Sequence, residues 1–356
     1  MASSWKKGEF AHRHGARVFG LAATYVGTVV GAGFASGQEI WTFFARFGRP
    51  GYLGMVLAGA IFAWAGLRAL ALGRRLGPTA TQRQVLEATV GGWAPFFDLV
   101  FLFFLLVLTG VMLAGAGALA QVYGRPAWQG KLLPALLALL VIAAGLPGLM
   151  IVNEIFVPFL VIITIIVTLK SLHLPPAYAG GKIFSSWAWP WAALLYASYN
   201  TTLALPVLVR LGAEEPEASL RRAGGLGGAL GLTILGACLA ATLLRQGRFV
   251  ASSELPMPAL AARLGGCFGL AYNGLLWAEL FTTLVADLYT VAARLQQLAG
   301  GRPIFWAAAT MVVGTFLARF GFARLVRTAY PAFGLLCFFP LLGLGKAHKT
   351  SYVKFR

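Results

Sequence analysis

Acid is scarce in this chain. Eleven Asp and Glu stand among 356 residues, against 29 Lys and Arg, for a formal net charge of +18. Histidine is rarer, at four, and cysteine rarer still, at three. Each shortage excludes something. His12, His14, His173 and His348 sit in the tails and one loop, so none can partner a nucleophile at membrane depth. No H-E-x-x-H and no P-loop occurs, which argues against a membrane enzyme of that type and against an ATP-driven pump in one chain. Cys238, Cys267 and Cys337 show no metal or disulfide spacing and read as small packing residues. Long polar stretches are missing too. Only 11% of residues are charged, 59% are hydrophobic and the mean hydropathy is +0.77, which leaves little room for a water-soluble domain.

What fills the chain is a series of apolar runs with short polar breaks. Crossing a bilayer takes about 20 such residues as a helix. Leu99 to Ala120 and Ile155 to Leu169 are apolar on every face, which excludes the alternating pattern of a membrane β-barrel and predicts helices among lipid and other helices. The basic excess sits at segment ends, where side chains reach headgroups, so it points to a membrane surface and not to nucleic acid. Lys6, Lys7, Arg13 and Arg17 precede an apolar stretch too long for a cleaved signal, which is read as a retained first helix.

About ten spans follow. They run from Arg17 to Phe47, Gly51 to Gly73, Ala94 to Val122, Leu132 to Gly145, Leu149 to Leu169, Trp187 to Leu211, Ala223 to Leu244, Gly266 to Ala293, Pro303 to Arg319 and Leu325 to Gly345. Two helix-compatible stretches, Pro78 to Gly91 and Ser252 to Gly265, are too polar or too short to cross. The expected division is a tail over 1–16, a first five-helix repeat over 17–170, a linker over 171–186, a second repeat over 187–345 and a tail over 346–356. Both tails are basic, and the loops on their side add Arg74, Arg75, Arg83, Arg210, Arg221, Arg222, Arg294 and Arg302. The other side carries Arg46, Arg49, Arg245, Arg248, Arg324 and Arg327, so a modest bias favours cytoplasmic ends and a bacterial inner-membrane location.

The first span holds the most informative motif, Gly31-Ala-Gly-Phe-Ala-Ser-Gly37. Each glycine weakens a helix by about 1 kcal/mol relative to alanine. Ser36, Gln38 and Glu39 then bring polar groups to bilayer depth. Freed backbone is tolerated there only where it lines a protein or aqueous cavity, offering N–H groups to an anion and carbonyls to a cation. Close packing of helices through small residues is the competing explanation. The sixth span repeats the theme with Ser198-Tyr-Asn-Thr-Thr202, followed by Pro206. Interruptions at positions one and six of ten are what two five-helix repeats of inverted topology would produce, with a transporter's site between them. An ordinary polar patch between helices is the alternative.

In the eighth span Glu279, Thr282 and Thr283 share a face, with Asp287 a turn beyond. Hard oxygens suit a hard cation. Glu279, Asp287 and Glu39 are also candidates for carrying a proton, since a carboxylate in a membrane is costly unless paired or protonated. A structural pair with an inward arginine such as Arg68 or Arg319, or back-bonding of the threonines to their own helix, would explain these residues without function. Asn153 and Glu154, near one end of the fifth span, suit a gate or interface better than a solute ligand.

Gly27-Thr-Val-Val-Gly-Ala-Gly-Phe-Ala-Ser-Gly-Gln-Glu39 resembles the first helix of the YkvI group of bacterial membrane proteins, which is placed with amino-acid permeases. Tyr196-Ala-Ser-Tyr-Asn200, Val152-Asn153 ahead of Pro158, and Phe281-Thr-Thr283 are similar as well, and the likeness spans nearly the whole chain. More remotely the group resembles the amino acid–polyamine–cation superfamily and its LeuT-type fold. That resemblance implies an all-α polytopic membrane protein with a 5+5 inverted repeat and broken helices 1 and 6. It also implies sodium ligands at the carbonyls of Gly27 and Val30 and the hydroxyls of Thr282 and Thr283. The Gly148 to Pro158 spacing is similar to a helix-5 unwinding motif, so Gly148, Asn153, Glu154 and Pro158 become gating candidates. Phe34 stands where some relatives place a second sodium's asparagine, which speaks against a second sodium.

The expected function is a cation-coupled secondary transporter of a small amino-acid-like solute, with no cofactor beyond Na+ or H+ as coupling ion. The solute's carboxylate would meet N–H groups along Ala32, Gly33, Phe34, Ser36 and Gly37, and its ammonium the groups of Ser198, Tyr199, Asn200, Thr201 and Thr202. Tyr25, Phe34 and Tyr199 would wall the pocket. The alternatives are a non-transporting amino-acid sensor on the same fold and a proton-coupled amine exporter using Glu279. Small solute and lipid are the expected partners; nucleic acid is not, and the oligomeric state is open.

Overall fold

Every apolar run becomes a helix, since a backbone among lipid tails must satisfy its N–H and C=O groups internally. The computed structural model describes residues 2–145, 149–177 and 187–347, with side chains over 14–145, 158–177 and 187–347. Among them there is no strand. The first span comprises α1 (Ala2–Val29), the single-turn α2 (Ala32–Ala35), α3 (Gln38–Phe43) and a 3-10 turn at Ala45–Phe47. Then come α4 (Pro50–Leu76), α5 (Gln82–Val90), α6 (Ala94–Val122), α7 (Ala127–Ala143) and α8 (Leu149–Ser171). The remainder is α9 (Trp189–Glu214), α10 (Ala218–Arg245), α11 (Gly247–Val250), α12 (Pro256–Arg263), α13 (Gly266–Ala299), α14 (Pro303–Leu317) and α15 (Phe322–Ala347).

Proline in the first turn starts α4, α6, α9, α12 and α14, where its missing N–H costs nothing. Seven of the described helical stretches are long and apolar enough to cross a membrane, and α7 and the 158–171 part of α8 are shorter apolar helices. Together with the interrupted first span they fill the ten-span order. Residues 2–16 are helical and run on into the rest of α1.

The spans sort into two groups by what they touch. In one, α4 lies along α9, and α10 packs on both α1 and α4; in the other, α6 packs on α7, α13 and α14. α15 bridges them through α9 and α6, and α8 lies on α13. Small residues let the backbones close in. A Cβ on Gly73 would stand 2.8 Å from the Val209 carbonyl carbon, and one on Gly212 2.6 Å from Leu70 Cα, so α4 and α9 meet backbone to backbone.

Tyr25 is enclosed the same way. Its ring would lie 2.6 Å from a Cβ on Gly66 of α4 and 2.7 Å from one on Gly228 of α10, and its hydroxyl donates to the Phe62 carbonyl at 2.8 Å. That corrects its expected role as a pocket wall: Tyr25 of α1 is wedged between α4 and α10.

Two surface helices complete the core. α5 starts with a capping box, in which Thr81 Oγ1 accepts from Gln84 N and Gln84 Oε1 accepts from Thr81 N, and buries Val85 and Leu86. α12 lies at the opposite end of the molecule, starting with Pro256 and packing on α13.

Candidate functional site

The first span breaks where its glycines lie. α1 ends at Val29, Gly31 is extended (φ −109, ψ −167), and Gly37 takes the left-handed conformation (φ 79) that glycine adopts without steric cost. Among the described residues no backbone hydrogen bond falls on the carbonyls of Gly27, Thr28 or Val30, and none leaves the N–H groups of Ala32, Gly33 or Phe34. Other freed groups are met from outside the span. Tyr272 of α13 donates its hydroxyl to the Ala35 carbonyl, and Met257 N of α12 donates to the Ser36 carbonyl at 2.9 Å. Ser36 Oγ closes the turn, donating to Gly33 O at 2.7 Å and accepting from Gln38 N at 3.2 Å.

The sixth span does not break. α9 is one continuous helix through the Ser198 to Thr202 patch and past Pro206, which corrects the expected pair of broken helices. The polar side chains bond back to their own helix. Ser198 Oγ donates to Leu194 O (2.7 Å), Asn200 Nδ2 to Tyr196 O (3.0 Å) and Thr202 Oγ1 to Ser198 O (2.9 Å). The carbonyls of Ser198 to Thr201 stay in the helical ladder, and within the patch it is Thr202 whose carbonyl loses its donor, because Pro206 has no N–H. What α9 presents to the break is Tyr199.

Two carboxylates flank α2. Glu39, 5% exposed, folds back over the break: a Cβ on Gly33 would overlap its Oε1 and lie 2.8 Å from its Cδ. Its Oε2 accepts the Tyr199 hydroxyl at 2.7 Å. Phe43, Tyr196 and Tyr330 ring this pair, with Tyr199 edge-on to Tyr330 at 5.3 Å and to Tyr196 at 5.6 Å. Glu279, 2% exposed, approaches from α13, its Oε1 3.9 Å from where a Cβ on Gly31 would stand. Its Oε2 is buried with no hydrogen-bond partner.

The rest of the α13 set is arranged around Glu279. Thr282 is buried and its hydroxyl donates to Glu279 O at 3.2 Å; Thr283 is half-buried. Asp287 is 6% exposed and its Oδ2 has no hydrogen-bond partner. No described ion pair joins Glu39, Glu279 or Asp287 to an arginine. Arg319 lies over the Phe316 ring and Arg68 lines a small crevice with Arg75, so neither neutralises them.

All of this is closed. Ala32, Gly33, Phe34, Ser36, Gly37, Ser198, Tyr199, Asn200, Thr201 and Thr202 are buried, with Glu39 lying on Gly33, so in place of the expected wet pocket between two breaks these residues pack closed around one. Of the gating candidates, Gly148 and the side chains of Asn153 and Glu154 lie outside the described residues. Pro158 is exposed, and α8 is helical from Leu149 through it. Tyr272 and Tyr330 were not singled out by sequence; their signal was a tyrosine in an apolar span, whose hydroxyl needs a partner at that depth.

A polytopic membrane protein with the fold of a solute transporter is the class these features define. No family model matches the chain. The manganese transporter of Eremococcus coleocola, solved with an aromatic bis-isothiourea compound, superposes with a TM-score of 0.55 over 93% of this chain and 79% of its own, at 15% identity. A histidine-to-alanine mutant of that transporter gives 0.56 over 91% and 78%. In sequence the chain is 32% identical over 326 residues to the Bacillus subtilis "Uncharacterized membrane protein YkvI", covering 88% of this chain and 91% of the relative. It is 26% identical over 322 residues to "Uncharacterized protein YyaD" of the same organism, covering 90% and 93%. The chain belongs to the YkvI family.

Proposed function

We propose that this protein is a cation-coupled secondary transporter of a small amino-acid-like solute, working by alternating access around the break in its first span. The observation that carries this reading is the Glu279 carboxylate against the Val30–Gly31 break, with one oxygen unpartnered. A buried carboxylate beside free carbonyls costs several kcal/mol unless a cation or proton joins it. The coupling ion, Na+ or H+, sits between Glu279 and the carbonyls of Gly27 and Val30, with the hydroxyls of Thr282 and Thr283 completing its shell. The solute lies along α2. Its carboxylate takes the N–H groups of Ala32, Gly33 and Phe34, and its ammonium takes Glu39, which leaves Gly33 as the solute arrives.

The inverted repeat is supported by the packing: exchanging first with sixth span and second with seventh turns the α1–α10 contact into α9–α4. The surface helices α5 and α12 follow the second and seventh spans in the same way. On this reading 17–170 and 187–345 are the two LeuT-like halves, 171–186 links them, and Gly148, Asn153 and Glu154 form part of a gate. The basic bias of the terminal face supports cytoplasmic ends in a bacterial inner membrane.

The neighbour carries manganese, a hard ion that carboxylate, carbonyl and water oxygens suit. The free N–H groups of Ala32, Gly33 and Phe34 beside Glu39, which suit a carboxylate and an ammonium together, favour an amino-acid-like solute here. Glu279's unpartnered Oε2 favours one second reading, in which it exchanges a proton during export of an amine. A sensor that binds without transport is the remaining alternative. Purified protein in liposomes, given a radiolabelled mixture of the common L-amino acids under an imposed sodium or proton gradient, separates them. Gradient-driven accumulation supports the transporter; saturable binding without accumulation supports the sensor.

A further inference from the structure

Asp287 is buried and unused by the site just described. With 100° per residue, Glu279, Thr283, Asp287, Thr290 and Arg294 fall within about 80° of one another on α13, a single stripe about 22 Å long. The stripe starts at the helix-1 break, where Glu279 faces Gly31, and ends at Arg294, whose guanidinium pairs with Asp98 of α6. That end belongs to the molecular face carrying the chain termini, since α6 starts there and α13 and α15 finish there.

A groove of about 240 Å³ opens between α6 and α13 at this end. Thr290, Arg294 and Asp98 line it together with Phe101, Leu105 and Gln297. Asp287 lies one turn further into the protein than Thr290, with Oδ2 lacking any partner. The charged and titratable groups around Asp287 are few. Tyr330 of α15 lies within electrostatic reach of both Asp287 and Glu39 of α3, and Arg294 and Asp98 stand at the groove. Nothing basic neutralises Asp287 among the described residues. The groove is largely apolar, but the Asp98–Arg294 pair lies at it, and a buried carboxylate in a membrane span commonly marks an ion pathway.

We infer that the α13 stripe is the route by which the coupling cation leaves the central site for the terminal face, with Asp287 its intermediate station and the Asp98–Arg294 ion pair at its mouth. This rests on the cation-coupled reading above, because the stripe has no cargo without it. The route is needed for net gradient-driven transport but not for exchange of labelled against unlabelled solute, in which the cation need not be released.

Proteoliposomes with the radiolabelled L-amino-acid mixture test it. Asp287→Asn reduces gradient-driven uptake about tenfold while solute exchange stays within about twofold of wild type. In a chain freed of its three cysteines, Thr290→Cys reacts with a cationic thiosulfonate applied from the terminal side, and reaction blocks gradient-driven uptake but spares exchange. Wild-type transport with D287N uptake unchanged, or with uptake and exchange lost together in D287N and Thr290→Cys untouched by the reagent, overturns the route and leaves the central site standing. Reaction only with a lipid-soluble maleimide assigns the groove to acyl chains and also overturns it. No accumulation by the wild type removes the transporter reading, and the route with it.

Discussion

The hydroxyl of Tyr199 donates a 2.7 Å hydrogen bond to Glu39 Oε2, joining the outer half of the interrupted first span to the continuous sixth. The same carboxylate lies on Gly33, where no side chain fits. That bond fixes the acid over the Gly33 backbone, where the proposed solute would bind.

Tyr199→Phe removes that bond without changing the ring. A buried hydrogen bond is worth about 0.5–3 kcal/mol, at the upper end when the carboxyl is ionised, so the variant melts below wild type. A thermal-melt cycle with Glu39→Gln yields a coupling of at least about 0.5 kcal/mol; additive effects would show that the contact is idle.

Tyr25 separates a structural from a functional reading. Tyr25→Phe loses the bond to Phe62 O and about 1 kcal/mol of stability, while apparent solute affinity in uptake assays stays unchanged. A large rise in KM with no loss of stability would restore Tyr25 to the pocket.

Tyr272→Phe leaves the Ala35 carbonyl without its donor. The cost of a buried unsatisfied acceptor is about 1–3 kcal/mol, and it falls on the break itself. The expected result is a lower melting temperature together with faster amide exchange at residues 35–38, measured by mass spectrometry. Loss of stability with unchanged exchange there would detach Tyr272 from the break.

Thr282→Val and Thr283→Val distinguish the two ions. With sodium as the coupling ion, one or both raise the sodium concentration for half-maximal uptake about tenfold, by removing a hard oxygen ligand. With a proton, neither changes the response to an imposed pH gradient.

The order of the spans was legible because bilayer thickness sets a length that composition must meet, though their ends were not: α7 starts at Ala127 and not Leu132, and α10 at Ala218 and not Ala223. The first break was legible because Gly31, Gly33 and Gly37 precede Gln38 and Glu39. The sixth span misled for a physical reason. Ser198, Asn200 and Thr202 look like an interruption, yet each can bond to the carbonyl one turn back and keep the helix whole. Pro206 removes one donor without unwinding its neighbours. Tyr25 misled because the glycines that enclose it, Gly66 and Gly228, are distant in sequence. Glu279 was legible as a carboxylate at depth; that it faces Gly31 depended on how α13 is rotated, which no local pattern encodes.

The most direct test of the central claim is gradient-driven uptake by Glu279→Gln in proteoliposomes, with folding checked by its melting curve. The account predicts a folded variant whose uptake of the labelled amino-acid mixture no longer responds to an imposed sodium or proton gradient. A folded E279Q protein that follows the gradient as wild type does would contradict it.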